Sequence, residues 1–530
     1  MTTKVFRTGD FLGIRRAAAR QILAAAIAAL GSIVAITAQP RGDRTIYVDT
    51  RIRQATCTTY APASRQCAGG QDTAFGSLAA ASAAAHAGTR VAIREGVYTE
   101  PLVPAASGTV DQPITFENYE KETVVITGIT DAPALQIIGR QFIVVRGLTI
   151  SDVVGWGRLQ DSMWNIVERM TFRNATASGT TGGLKLVRSS RNRVIGNSFD
   201  DGTDEVLLQD NSDGNLVADN AFSSAHHSLV SIRCSNANLI RRNRFDNARQ
   251  KAIEIFDCEG VSDAPVRLDA TKLNLIENNL FVRTKPTDRN YKYNAIQHGG
   301  QATIVRRNVF RNTGGGAVNY QQYERESLYV YGNRLYHNTF YDNRCFAVSG
   351  TEEPDSKRYY DNRVMNNLLY KNRDCAGAGA QTSVPDGRAV ILASNAVEKN
   401  DPGFVNEAAG DLHLAAGSPM IDRASGLTRI PAAGSGLTMS VGDPLPFFDG
   451  YKIPGESGDQ VQIIGSTETA RVVRIDYKAR TLTLDRELTW KAGDLLALAY
   501  SGAAPDFGAF EFVPRVSAIL PTVRPTPAAH

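Results

Sequence analysis

The sequence predicts an all-β chain wound as a right-handed parallel β-helix, a solenoid running from about Thr89 to Asn406. Three observations predict it. An Asn-x-Phe signature recurs, its spacings lie in the range of stacked repeats, and the β-prone segments between show no helix-period apolar spacing.

The signature occurs as GNSF (Asn197, Phe199), DNAF (Asn220, Phe222), RNRF (Asn243, Phe245), NNLF (Asn279, Phe281), RNVF (Asn308, Phe310), HNTF (Asn338, Phe340) and NNLL (Asn367, Leu369). Successive asparagines are 23, 23, 36, 29, 30 and 29 residues apart. The short spacings fit one coil of three strands and three bends, and the long ones fit a coil with a loop pushed out of one bend. A stacked Asn at a bend tolerates left-handed backbone geometry. Its amide can also bond the Asn of the next rung as a polar ladder. The Phe two residues on points to the same side and enters the core. No rung buries its apolar face alone, so stacking is obligatory.

Other segments flank this solenoid, which is assigned to 89–424. Residues 45–88 are expected to cap its N-terminal end, with the helical-looking run FGSLAAASAAAHAG at 75–88 shielding core and sheet edges. Residues 425–504 contain GDQVQIIG, ARVVRIDY, RTLTLDREL and GDLLALAY, which alternate with strand period and predict a small antiparallel β-rich insert. Residues 505–512 would close the fold, and the Pro-rich stretch 513–530 reads as a disordered tail.

A formal charge of +4 on 530 residues is too small to imply a nucleic-acid partner. At the N-terminus, Lys4, Arg7, Arg15, Arg16 and Arg20 precede an apolar run from Ile22 to Ala38. That layout predicts a secretory signal over 1–38, cleaved near Ala38. The alternative is an uncleaved anchor, the one case in which a membrane is a partner. The exported chain is expected to be a monomer, secreted, periplasmic or at the cell surface. Export permits disulfides. Cys57 and Cys67 bracket a short loop, while Cys234 and Cys258, and Cys345 and Cys375, are about one coil apart and so on neighbouring rungs. The pairs 57–67, 234–258 and 345–375 are predicted, with buried free thiols as the alternative for the two long pairs.

Alternate strand residues point outward. If Leu184/Leu186, Val230/Ile232 and Ile253/Ile255 face the core, then Lys185, Ser231, Arg233, Glu254 and Gln297 face out, and Asn319 continues the line. The register of DEVLLQDN is ambiguous, and a slip of one residue would reverse it. Polar side chains repeating at about 4.8 Å per rung suit an extended sugar chain.

The passages TRVAIREGVYTEPL, QPITFENYEKETVVITG and ALQIIGRQFIVVRGLTI resemble the opening turns of pectate-lyase-like and chondroitinase-B-like β-helix proteins. GSPMIDRA (417–424) and PDFGAFEF (505–512) resemble the two halves of the closing segment of that group. The resemblance covers roughly Thr45 to Phe512 and implies a carbohydrate-active protein, with a polysaccharide lyase the leading reading. A lyase acting on an acidic polysaccharide removes a proton next to the carboxylate-bearing carbon, which needs a base and positive charge for the developing enolate. Lys185, Lys251 and Arg233 are the candidates, with surface charge as the alternative for each. His226 and His227 are candidate acids or bases, and His298 is a weaker one. The resemblance also implies a possible Ca²⁺, for which Asp204, Glu205 and Asp257, or Glu254, offer oxygen ligands.

Two rival functions stand beside the lyase. A glycoside hydrolase needs two carboxylates at one cleft, and Glu205 with Glu254, or Asp204 with Asp257, are the available pairs. The paired-Asp motif of polygalacturonases and the Asp-Pro-His-Asp signature of alginate epimerases are both missing from the sequence. A non-catalytic surface or matrix protein that binds glycan through the same groove is the other rival.

Overall fold

The computed structural model describes residues 44–177, 182–256, 272–284, 294–322, 329–351, 354–376, 380–385 and 387–514. The signal segment 1–38, Asp257, Cys258 and nearly all of the tail lie outside the described residues. Among the described residues no helix is long and apolar enough to cross a membrane.

Three long sheets form the walls of a parallel β-helix. The first has fifteen strands, the second twelve and the third ten, and each coil contributes one strand to each sheet through the central region. Every pairing in these walls is parallel except that between Thr56–Tyr60 and Asp72–Phe75. Those two strands and Arg44–Val48 extend the first sheet ahead of Thr89–Ile93, so the N-terminal stretch supplies strands as well as a helix. The helix is short, Leu78–Ala84. Ser77 caps it by accepting from the Ala80 N–H, and it buries Leu78 and Ala81 with Ile46, Val48 and Phe75.

Rung-to-rung register explains the Asn-x-Phe signature. Phe172, Phe199, Phe222, Phe245, Phe281, Phe310 and Phe340 are direct neighbours along the second sheet. Their rings stack nearly parallel, with centroids 4.5 Å apart at the closest pair and 5.1 Å at the widest. Each stacked pair contributes about 0.5–1.5 kcal/mol beyond its buried area. Trp156 packs against Phe172 and Phe199 at the start of the column.

The asparagines before these rings form the expected ladder. Asn197 Nδ2 donates to Asn220 Oδ1 at 3.0 Å, Asn220 to Asn243 at 3.0 Å, Asn243 to Asn279 at 3.1 Å, and the series continues to Asn395. The expected place of the left-handed residue needs correction. It is the residue just before each ladder Asn: Gly196, Asp219, Arg242, Asn278, Arg307, His337 and Asn366 all have φ between 51° and 65°. That bend leaves the following Asn free to turn its amide inward along the wall. A second ladder, through Asn165, Asn192, Asn215, Asn238 and Asn274, runs at another bend.

The disulfides Cys57–Cys67 and Cys345–Cys375 are formed. Cys234 is also disulfide-bonded, but its expected partner Cys258 lies outside the described residues. Residues 428–498 carry a six-stranded antiparallel sheet. Its apolar side packs on outward residues of the first sheet, among them Leu216, Leu239, Leu275 and Ile304. Buried ion pairs fix the junction. Arg306 lies between Glu277 at 2.8 Å and Asp459 at 2.6 Å, and Arg334 Nε meets Asp443 at 2.8 Å. The two closing segments lie side by side, with Phe507 N–H donating to Met420 O and Asp422 N–H to Asp506.

Candidate active site

The third sheet fixes the site. Arg158, Lys185, Leu207, Ser231, Glu254, Gln297 and Asn319 are successive partners along one row. The residues beside them, Leu184, Leu186, Val230, Ile232, Ile253 and Ile255, are in the core. The row therefore faces outward, and Val206 and Leu208 in the core settle the register of DEVLLQDN.

Strand alternation breaks at one place in three successive rungs. Leu229 and Val230 both face the core, as do Ala252 and Ile253. Glu205 and Val206 occupy the matching positions on the rung before. Two inward residues in succession turn the preceding side chain back to the outer face. Asp204, Ser228 and Lys251 thereby join Ser231 and Glu254 on one patch.

The contacts there are dense. His227 Nδ1 lies 2.8 Å from Asp204 Oδ1 and 3.7 Å from Glu254 Oε2. Ser231 Oγ donates to Asp204 at 3.2 Å, and Ser228 Oγ donates to Glu254 at 3.2 Å. Lys251 Nζ pairs with Glu254, and Arg233 Nη2 approaches the same carboxylate at 3.6 Å. Arg233 also lies over the Phe256 ring at 5.0 Å. Asp204 and Glu254 are fully buried, while His227 keeps a third of its side chain exposed. The patch is the floor of a recess, with the imidazole at its opening.

Two groups are tuned in opposite directions. The Asp204 carboxylate accepting from the ring holds the His227 pKa above its ordinary value, against the effect of burial. Burial, then the neighbouring Arg158, holds the Lys185 ammonium below the usual lysine range. The shifts draw the two groups toward each other, which makes the lysine a more available base and the imidazolium a longer-lived acid near neutral pH.

Of the residues singled out in the sequence, Lys185, Asp204, His227, Arg233, Lys251 and Glu254 come together. Glu205 does not. It sits inside the wall against Gly202, close to the indole of Trp156, and burial holds its carboxyl well above the usual range. It is therefore no metal ligand at the groove, nor can it pair with Glu254 across a cleft, because the two side chains face opposite sides of the wall. His226 stands apart at the surface, 3.3 Å from Asp201 and 3.1 Å from Arg249. His298 is buried, with a pKa pushed down to about 3 by desolvation. Asp257 lies outside the described residues. Sequence reasoning missed Arg158 and Ser228. Arg158 lies one coil before Lys185, and extending the outward line back by one rung finds it.

Among the described residues the donors at the recess do not suit a calcium ion. Each carboxylate that reaches the recess already carries a basic partner, His227 on Asp204 and Lys251 and Arg233 on Glu254. A hard divalent cation needs six or more oxygen ligands with spare negative charge. Among the described residues no three His, Cys, Asp or Glu side chains assemble such a group.

Residues 134–267 match the family described as right handed beta helix region. That span includes every rung of the recess, and the parallel walls agree with it. A stretch of 91 residues is 45% identical to the uncharacterized protein YwoF of Bacillus subtilis, covering 16% of this chain and 19% of that relative. The chain thus spans about a fifth of the length of that relative. Among solved structures, a PL6 family polysaccharide lyase from Pseudopedobacter saltans is similar at 14% identity and a TM-score of 0.44, over 66% of this chain and 96% of that one. The pectate lyase Pel9A is similar at 12% identity and a TM-score of 0.40, over 88% and 96%. The GH136 lacto-N-biosidase of Eubacterium ramulus is similar at 13% identity and a TM-score of 0.41, over 67% of each chain. Likeness at this level concerns the fold, and no activity is taken from it.

Proposed function

We propose that this β-helix is an exported carbohydrate-active enzyme, and that the recess on its third sheet cleaves an acidic polysaccharide by β-elimination. The observation that carries the reading is geometric: the outward Lys185 shares one face of the third sheet with the Asp204-bound His227. They stand about two rungs apart, roughly 10 Å at 4.8 Å per rung, a separation that a sugar unit and its glycosidic bond can bridge.

In this reading Lys185 Nζ, whose charged form is disfavoured by burial, removes the proton from the carbon that bears the uronate carboxylate. Arg158 and Arg233 stabilise the charge that develops on that carboxylate, and Arg233 Nε is buried with no hydrogen-bond partner among the described residues. A carbon–carbon double bond forms as the neighbouring C–O bond breaks, and protonated His227 gives its proton to the leaving oxygen. Glu254 holds Lys251 and Arg233 in place and Asp204 fixes the imidazole ring. The disulfides fit export to an oxidising compartment.

The test is ultraviolet absorbance of unsaturated product on a panel of uronic-acid polysaccharides. Rising absorbance that is lost in Lys185→Met supports the reading. One observation favours a second reading, because Asp204 and Glu254 both approach the same imidazole nitrogen and so form a carboxylate pair at one recess. New reducing ends without unsaturation would select that hydrolase. Silence in both assays would leave glycan binding without turnover.

A further inference from the structure

An open cavity of about 420 Å³ lies away from the third sheet. Asn278 and Arg307, at the bends of two rungs of the β-helix, line one side. His413 and Phe510 stack at 3.8 Å and form an aromatic wall. Tyr500 and Glu511 come from the far end of the insert and from the closing segment. Three remote stretches of chain thus converge on one cavity.

The polar groups here are poised for a ligand. Among the described residues the Arg307 guanidinium makes no ion pair. Glu511 Oε1 accepts from the Asp506 N–H at 3.2 Å, while among the described residues its buried Oε2 makes no hydrogen bond of good geometry, with the Ser501 backbone the nearby donor. Burial and the adjacent Asp506 push the Glu511 carboxyl up to about 7, against the pull of Arg307. The acid therefore offers a proton to an acceptor below neutral pH. His413 is held at Nδ1 by Asp411 at 2.6 Å.

We infer that this cavity is a second carbohydrate-binding site that takes one carboxylate-bearing sugar unit. A sugar ring has an apolar face for an aromatic wall and hydroxyls for side chains such as Asn278 and Glu511. Arg307 supplies the charge that selects a uronate over a neutral sugar. The site would anchor a polysaccharide at a point remote from the recess, so that each contact raises the local concentration at the other.

The experiment is titration calorimetry of the full chain with galacturonic acid trisaccharide at mildly acidic pH. A Lys185→Met, Arg233→Met double variant disables the recess. Residual binding is expected in that variant. Adding Arg307→Gln should weaken it about tenfold or more, while Glu511→Gln, which keeps a hydrogen-bond donor, should retain it. The neutral galactose trisaccharide should bind about tenfold more weakly. No residual binding, or residual binding indifferent to Arg307→Gln, overturns the assignment. Failure of the recess reading is separate, since the double variant would then match the unmodified chain.

Discussion

Replacing Asn243 with Leu removes one rung of the amide ladder at nearly constant volume. Asn243 Oδ1 accepts from the N–H and the Nδ2 of Asn220, both at 3.0 Å. Its Nδ2 donates to Val217 O at 2.9 Å and to Asn279 Oδ1 at 3.1 Å. After substitution Asn220 Nδ2 keeps Val194 O, and Asn279 Oδ1 keeps the backbone N–H of residue 243. The Asn220 N–H loses its acceptor inside the wall. An orphaned buried donor costs about 1–3 kcal/mol and each of the three other lost bonds about 0.5–1.5, so the expected loss is about 3–7 kcal/mol. Chemical denaturation followed by circular dichroism measures it, read at the first cooperative transition because long repeat arrays need not unfold in one step. A loss below about 1 kcal/mol would refute the claim that these amides carry the wall.

Three further outcomes are expected. Lys251→Ala and Arg233→Ala should each abolish turnover while the circular dichroism spectrum is unchanged, and full activity in both would remove them from the active set. Arg306→Leu leaves Asp459 and Glu277 without their shared cation, and should cost about 3–5 kcal/mol in thermal or chemical unfolding; a neutral result would show that the insert is held by its apolar contacts alone. His298 and His337 are both held near pKa 3 by burial, below the ordinary 6.5. The unfolded chain thus binds more protons than the folded one between those values. Their contribution is intact above about pH 6.5 and is lost as pH falls toward 3, at up to about 1.4 kcal/mol per pH unit for each. Flat stability across that window, after allowance for the carboxylates, would contradict their burial as neutral rings.

The β-helix was legible because its periodicity is written twice, in the Asn and in the Phe two places on. The outward row from Lys185 to Asn319 followed from simple alternation, with the core residues on either side as the check. The recess was only partly legible. Glu205 stood among the groove carboxylates because the register of DEVLLQDN is open in the sequence, and no local signal marks two inward residues in succession. Only the neighbouring rungs show it, where Leu229–Val230 and Ala252–Ile253 are apolar pairs in the same place. The second ladder was present in the sequence as Asn165, Asn192, Asn215, Asn238 and Asn274, but no aromatic residue follows at a fixed distance to flag it. The cavity at Glu511 joins positions hundreds of residues apart, and spacing carries no information about such a meeting.

The amide ladder has a direction. Each side-chain donor points to the rung that follows in sequence, from Asn197 toward Asn395. A partly formed helix therefore ends in one unmet side-chain N–H and one unmet backbone N–H, set at the spacing of the next amide oxygen. The growing end is a template, and a chain that folds from its N-terminal rungs onward meets it in order. Each new rung is selected by a polar acceptor at a fixed bend, which an out-of-register strand does not supply. At Asn395, the last member, Nδ2 keeps the backward bond that every rung makes, here to Val364 O at 2.7 Å, and no further Asn follows to take the forward one.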